Sequence, residues 1–325
     1  MHVAVIGAAG MIGRKLVARL VSDGRLGDAE VGHLSLVDLL EPESPGGWSG
    51  GSECWLADLA APGAAETVIA ARPDVIFHLA AVVSGEAEAD FDLGYRVNVD
   101  GTRALLEAIR AAHITGGYRP RLVYSSSIAV FGAPLPDLTP EDFAATPLTS
   151  YGTQKAIGEL LLADYTRRGF VDGVGIRLPT ICIRPGRPNQ AASGFFSGIL
   201  REPLVGQEAV LPVPETVRHW FASPRSAVQF CLLAATIDSD LIGPRRTLSM
   251  PGLSATVGEQ ITALRRAAGE QAVRLIRHEP DPTIMAMIDG WARSLDASRA
   301  ERLGFAAETS FDEIIRVHLE DELRR

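Results

Sequence analysis

Short apolar runs alternate with apolar stripes at helical spacing through the first half of the chain. Val3-Ala4-Val5-Ile6 has no polar alternation, which reads as a strand buried on both faces. After Gly7, Gly10 and Gly13, the stretch Met11 to Val21 puts Ile12, Leu16, Val17 and Leu20 on one side of a helix. Leu34, Leu36 and Val37 form a second strand that ends at Asp38. The polar, glycine-rich stretch Glu41 to Ser52 predicts an exposed loop. Cys54-Trp55-Leu56 is a short strand candidate, followed by Asp58-Leu59. Ala61 to Arg72 reads as helix and Val75 to His78 as a buried strand. Asn98 to His113 carries a helical stripe of Leu105, Leu106 and Ile109. Leu122-Val123-Tyr124 runs into Ser125-Ser126-Ser127, Tyr151 to Arg168 is helical, and Val174 to Arg177 is a further strand. This repetition predicts an α/β fold: a doubly wound parallel (Rossmann) sheet with helices on both faces.

The alternation stops after Leu178, where prolines become frequent (Pro179, Pro185, Pro188, Pro203, Pro212, Pro214). Residues 1–178 therefore read as a nucleotide-binding domain and 179–325 mainly as a smaller substrate-binding region. Segments around 218–250, Thr247 to Met250 among them, are expected to return to the main sheet. Val257 to Ala268 and Phe311 to Leu323 read as late helices.

Composition narrows the partners. A formal charge of −9 over 325 residues argues against nucleic acid or an anionic membrane. No apolar stretch reaches membrane-spanning length without a charge or glycine. The chain opens on a strand, so no signal peptide is expected. Cys54, Cys182 and Cys231 lack metal-ligand spacing and suggest buried, inert thiols in a reducing compartment. The expectation is a cytoplasmic protein with no metal.

The glycine turn carries the first chemistry. Glycines at 7, 10 and 13, around Ala8, Ala9, Met11 and Ile12, let backbone approach a pyrophosphate at a helix N-terminus. Asp38 at the end of the next strand suits a ribose diol and repels a 2′-phosphate, so the expected cofactor is NAD rather than NADP.

Tyr151 and Lys155 stand four apart, which puts both on one helix face. A phenol with a pKa near 10 is a poor base until a nearby cation favours its phenolate. Ser127, at the carboxyl end of a strand, is placed to hold the same substrate oxygen. The three make the set that a metal-free alcohol dehydrogenase needs. His78, at the end of an apolar run, reads as a packed or cofactor-adjacent residue without acid–base work.

Together, Gly7-Gly10-Gly13, His78-Leu79-Ala80-Ala81, Asn98-Val-Asp-Gly101-Thr102, the three serines with Val130-Phe131-Gly132, and Tyr151…Lys155 resemble the extended short-chain dehydrogenase/reductases, which include nucleotide-sugar epimerases and dehydratases. The resemblance implies that Asp58 and Leu59 flank an adenine. It implies that Leu79, Ala80, Ala81, Asn98 and Ser125 line the cofactor, and that Pro179 and Thr180 sit near the nicotinamide. It also implies a homodimer through the helices containing Leu105 and Lys155.

The second half departs from the nucleotide-sugar members. An Arg-Asp-aromatic segment that helps bind a diphosphate is matched here by Arg218-His219-Trp220, without the Asp. The segments 81–94, 150–159 and 184–189 instead resemble the D-erythronate dehydrogenase group of this superfamily. That likeness implies NAD-dependent oxidation of the C2 hydroxyl of a four-carbon sugar acid, within sugar-acid catabolism. Such a substrate needs donors for its carboxylate, and Ser84, Ser126, Arg184, Arg187, Asn189, Gln190 and Arg218 are candidates. Glu86, Glu88 and Asp90 read as a solvated loop face. Two other readings stay open: a nucleotide-sugar epimerase or dehydratase, and a non-catalytic NAD-binding regulator.

Overall fold

A computed structural model describes residues 1–186 and 192–323. Six strands, β1 (His2–Ile6), β2 (His33–Asp38), β3 (Gly51–Leu56), β4 (Val75–His78), β5 (Arg121–Ser127) and β6 (Asp172–Leu178), join a short edge strand at Thr247–Ser249 in one seven-stranded sheet. The spatial order is the 247–249 edge, β6, β5, β4, β1, β2, β3. The chain winds outward from β1 through β2 to β3, then crosses back over β1 to β4. That reversal makes a crevice at the carboxyl ends of the strands. Register aligns those ends: Ile6 pairs with Val37 on one side and His78 on the other, and His78 pairs with Tyr124. Gly7, Asp38, Leu79 and Ser125 therefore emerge along one edge.

The apolar runs are buried on both faces, as a helix-covered parallel sheet requires. Helix α1 (Met11–Asp23) buries Leu16, Val17 and Leu20, and ends on Gly24 in the left-handed conformation. Helix α2 (Ala64–Ala70) is shorter than the 61–72 expectation and begins after Gly63, at φ 81°. The 98–113 helix begins earlier than expected. After α3 (Ser84–Ala89), helix α4 (Phe91–Tyr95) continues through a π turn at Arg96–Asp100 into α5 (Gly101–Gly116). Helix α6 spans Ser150–Arg167. Ile6, Val37, Ile76, Leu105, Ile109, Leu122, Tyr124 and Leu162 belong to one core cluster between sheet and helices.

The chain divides into two compact units. One contains 1–127, 149–177 and 228–248; the other contains 128–148, 178–227 and 249–325. Within the second unit, Arg218–Ala222 pairs antiparallel with Leu253–Thr256 and parallel with Thr180–Ile181. Its core gathers Phe196, Phe221, Ile261, Leu264 and Ile314.

The thiol expectation needs one correction. Cys182 and Cys231 are buried, and burial pushes each up to about 12, but Cys54 is exposed because it lies on the edge strand β3. Among the described residues, no helix is long and apolar enough to cross a membrane.

Candidate active site

The glycine turn is built for close backbone approach. Gly7 sits at φ +93°, and a Cβ there would lie 2.6 Å from the Ala80 nitrogen. A Cβ on Gly13 would lie 2.1 Å from the Gly7 carbonyl oxygen. The first and third glycines therefore let β1, α1 and the segment after β4 touch. Gly10 is the N-cap of α1 with no side-chain cap, and the first turn, beginning at Met11 and Ile12, holds no acid. The positive end of the helix thus carries no side-chain cap and no acid of its own first turn. Asp38 stands at the mouth of the turn: its carboxylate accepts from the Ala9 N–H at 2.9 Å and the Leu40 N–H at 3.1 Å. Close backbone, uncapped helix and strand-end acid fit a dinucleotide.

Asp58 accepts from the Ala60 N–H at 3.0 Å and pairs with Arg96, and Leu59 is buried. Leu79 and Ala80 both donate their N–H groups to the Ile6 carbonyl. Ala81 is half-buried. Asn98 lies in the π turn, where its amide bonds both backbone groups of Val82 and donates to Gln154 Oε1 at 2.7 Å. Its polar atoms hold the segment after β4 against the helix carrying Gln154.

That helix, α6, has two acceptors at its start. The Thr149 hydroxyl accepts from the Gly152 N–H at 3.1 Å, and the Glu88 carboxylate accepts from the Ser150 N–H at 2.9 Å. Tyr151 follows at once and Lys155 one turn later. Lys155 Nζ lies 5.8 Å from the Tyr151 ring centroid and 5.0 Å from that of Tyr124, and donates to the Ser125 carbonyl at 2.7 Å. Only 2% of Lys155 is exposed, and burial pushes its ammonium down from 10.5 to about 7, with Glu159 pulling the other way. Ser127 closes β5 two residues beyond the carbonyl that Lys155 holds.

His78 backs this cluster. Thr102 donates its one hydroxyl proton to the Asn98 carbonyl at 2.7 Å, so His78 Nε2 must be the donor to Thr102 at 2.9 Å. The ring is the neutral Nε2–H tautomer. Burial, helped by the Lys155 charge, pushes its pKa down to about 3. The Ser125 hydroxyl donates to the His78 carbonyl at 3.1 Å.

Ser126 points elsewhere and donates to Glu159 Oε1 at 2.5 Å. Arg177, from β6, grips both oxygens of the same carboxylate at 2.8–3.2 Å. The arrangement ties β5, α6 and β6 together at the sheet's carboxyl edge.

The remaining candidates fall in the second unit or outside the described residues. Thr180 is buried and its hydroxyl bonds His219 Nε2 at 2.7 Å, beside a buried Pro179. Arg184 donates to the Ile181 carbonyl at 3.0 Å and to the Ser193 hydroxyl at 3.1 Å. Arg218 is exposed, donates to the Ser254 carbonyl at 3.0 Å and pairs with Glu259 at 3.4 Å. Asn189, with Arg187 and Gln190, lies outside the described residues. Ser84 is half-buried at the start of α3.

Sequence reasoning gave no role to Glu159, Arg177, Thr102 or Gln154; Glu88 is exposed, as a solvated acid should be, but its bond to the Ser150 N–H was missed. Glu159 had a usable signal, four residues after Lys155 on the same helix face. Arg177, an arginine ending an apolar strand, asked for a buried partner.

Comparison with known proteins adds three findings. The chain matches the NAD dependent epimerase/dehydratase family over residues 3–240. Curated relatives named D-erythronate dehydrogenase come from Cupriavidus necator and Haemophilus influenzae. The first is 44% identical, covering 99% of this chain and 98% of that protein. The second is 38% identical, covering 99% and 100%. A crystal structure described as a nucleoside-diphosphate-sugar epimerase from Agrobacterium tumefaciens is 68% identical, with a TM-score of 0.97, and covers 99% of this chain and 94% of that one.

Proposed function

The chain belongs to the NAD dependent epimerase/dehydratase family, and on that premise we propose that it is an NAD-dependent dehydrogenase oxidising the C2 hydroxyl of D-erythronate to 2-dehydro-D-erythronate. Two near-full-length relatives bearing that name support the substrate. The single observation that carries the chemistry is a buried Lys155 ammonium seated on the Ser125 carbonyl beside the Tyr151 ring.

NAD, when bound, supplies the hydride acceptor; Gly7, Gly10, Gly13 and Asp38 would hold it. Tyr151 takes the proton of the C2 hydroxyl. Lowering its pKa from near 10 to near 7 needs about 4 kcal/mol of differential stabilisation, which a desolvated cation at this range supplies in part. Ser127 positions the substrate oxygen. In the reverse direction Tyr151 returns the proton as an acid. The Ser126 proton is committed to Glu159, so Ser84 is the better candidate for meeting the substrate's carboxylate end. Of the three arginines proposed for that carboxylate, two are among the described residues: Arg184 is half-buried, whereas Arg218 is exposed and paired.

Purified protein incubated with NAD and D-erythronate should accumulate NADH. Absence of NADH with that acid and with other four-carbon sugar acids would sink the substrate claim.

The description of the 68%-identical structure favours a second reading, an epimerase of nucleotide sugars. Against it stands His219, where the diphosphate-binding segment would carry Asp. It is buried, bonded to Thr180 and pushed down to about 3, mainly by burial. Epimerase activity would interconvert nucleotide sugars without net NADH. A non-catalytic regulator would bind NAD and turn over neither substrate.

The proposal includes a cytoplasmic enzyme of sugar-acid catabolism that works as a homodimer through α5 and α6. Ile114 and Leu160 on those helices are 63% and 73% exposed, apolar positions that a partner copy would cover. Light scattering on the eluting protein decides the assembly.

A further inference from the structure

Lys155 is one of two lysines in the chain, the other being Lys15. Its surroundings give its charge little support. On α6 it has Tyr151; from β5 it meets the Tyr124 ring and the Ser125 carbonyl; from β4 it faces His78, held as the neutral tautomer. Glu159 is the acid facing it. It lies four residues on, on the same face of α6, and is 6% exposed. Its two oxygens are held by Arg177 and the Ser126 hydroxyl. The same Ser126 is flanked by Ser125, which seats the lysine, and by Ser127.

We propose that Glu159 is a positioning residue: clamped between Arg177 and Ser126, its carboxylate keeps the Lys155 ammonium charged and seated on the strand end beside Tyr151. The catalytic meaning rests on the Tyr151–Lys155 reading above. The physical content, the charge on Lys155, is readable without substrate or NAD.

Full-length protein labelled with [13C,15N]lysine yields two side-chain signals, and the one lost in Lys155→Met identifies Lys155. The Lys155 signal is titrated with pH in the wild type, Glu159→Gln and Glu159→Asp, each checked for cooperative unfolding. Glu159→Gln should lower the midpoint by about one pH unit or more, a tenfold loss of proton affinity, and Glu159→Asp should restore most of it. A Glu159→Gln midpoint equal to or above that of the wild type overturns the proposal. If Glu159→Gln does not fold, Arg177→Gln removes the competing cation and must raise the Lys155 midpoint; a fall or no movement overturns it equally. Should wild-type protein oxidise no sugar acid, the function reading fails while this titration still decides the role of Glu159. With an active enzyme, Glu159→Gln should lower kcat about tenfold at neutral pH and leave KM for NAD near the wild-type value.

Discussion

Glu88 accepts the backbone N–H of Ser150 at 2.9 Å, so an acid of α3 closes the N-terminus of the helix that carries Tyr151 and Lys155. A helix start leaves orphan N–H groups and a positive dipole end, and an anion there satisfies both. Thr149 covers Gly152 and Glu88 covers Ser150, which fixes the turn that aims Tyr151. Glu88→Ala should lower stability by roughly 0.5–1 kcal/mol, and Glu88→Gln, which keeps an acceptor, by less. Urea unfolding midpoints test this; equal midpoints for all three proteins would show that Glu88 does not hold the helix.

Removing the Tyr151 hydroxyl tests the proton path directly. Tyr151→Phe keeps the ring near Lys155 but has no group to take the alcohol proton. General base catalysis contributes roughly 10²–10⁴-fold, so kcat for D-erythronate should fall by that range while NAD binding changes little. Initial rates of NADH formation and an NAD titration separate the two. A variant that oxidises at near-normal rate would remove Tyr151 as the base.

Stability should fall steeply in acid, for a reason held in two buried rings. Burial pushes His78 and His219 from 6.5 down to about 3. Between pH 6.5 and 3 the unfolded chain binds protons at these rings that the folded chain refuses. Stability therefore rises with pH across that window and is lost as pH falls through it. Each ring contributes a slope of up to about 1.4 kcal/mol per pH unit. His219→Gln keeps a hydrogen-bonding group for Thr180 but cannot titrate, so the slope should flatten by up to one proton. Denaturation midpoints from pH 6.5 to 4 check it, and parallel lines for both proteins would refute it.

The sheet was legible because unbroken apolar runs and helical stripes are local signals, and each strand from β1 to β6 begins or ends within a few residues of its apolar run. Tyr151 and Lys155 were legible for the same reason, since four residues bring them to one helix face. The π turn at Arg96–Asp100 was not, because it leaves composition unchanged and the stripe of Leu105, Leu106 and Ile109 begins beyond it. The grip of Arg177 on Glu159 was not, because it depends on β6 lying next to β5, a matter of strand order. Cys54 looked like a buried thiol until β3 proved to be an edge. Glu88 is exposed as expected, and only its bond to the Ser150 N–H was not legible, because that partner lies 62 positions away.

The proposed function gives Asp38 the choice of cofactor, and its two backbone contacts decide which substitution tests it. Its carboxylate holds the Ala9 and Leu40 N–H groups, so removing the side chain would disturb the glycine turn as well as the charge. Asn keeps one acceptor oxygen of the same length and loses the charge together with one of these two contacts, because Ala9 and Leu40 donate to different oxygens of the carboxylate. With the anion gone, the repulsion of a 2′-phosphate is gone and one acceptor for the ribose diol is lost. Asp38→Asn should therefore weaken NAD and admit NADP, moving the ratio of kcat/KM for NAD over NADP by about tenfold or more toward NADP, a change of about 1.4 kcal/mol in relative transition-state binding. Steady-state rates with both dinucleotides give that ratio. An unchanged preference would mean that Asp38 shapes the turn without reading the ribose.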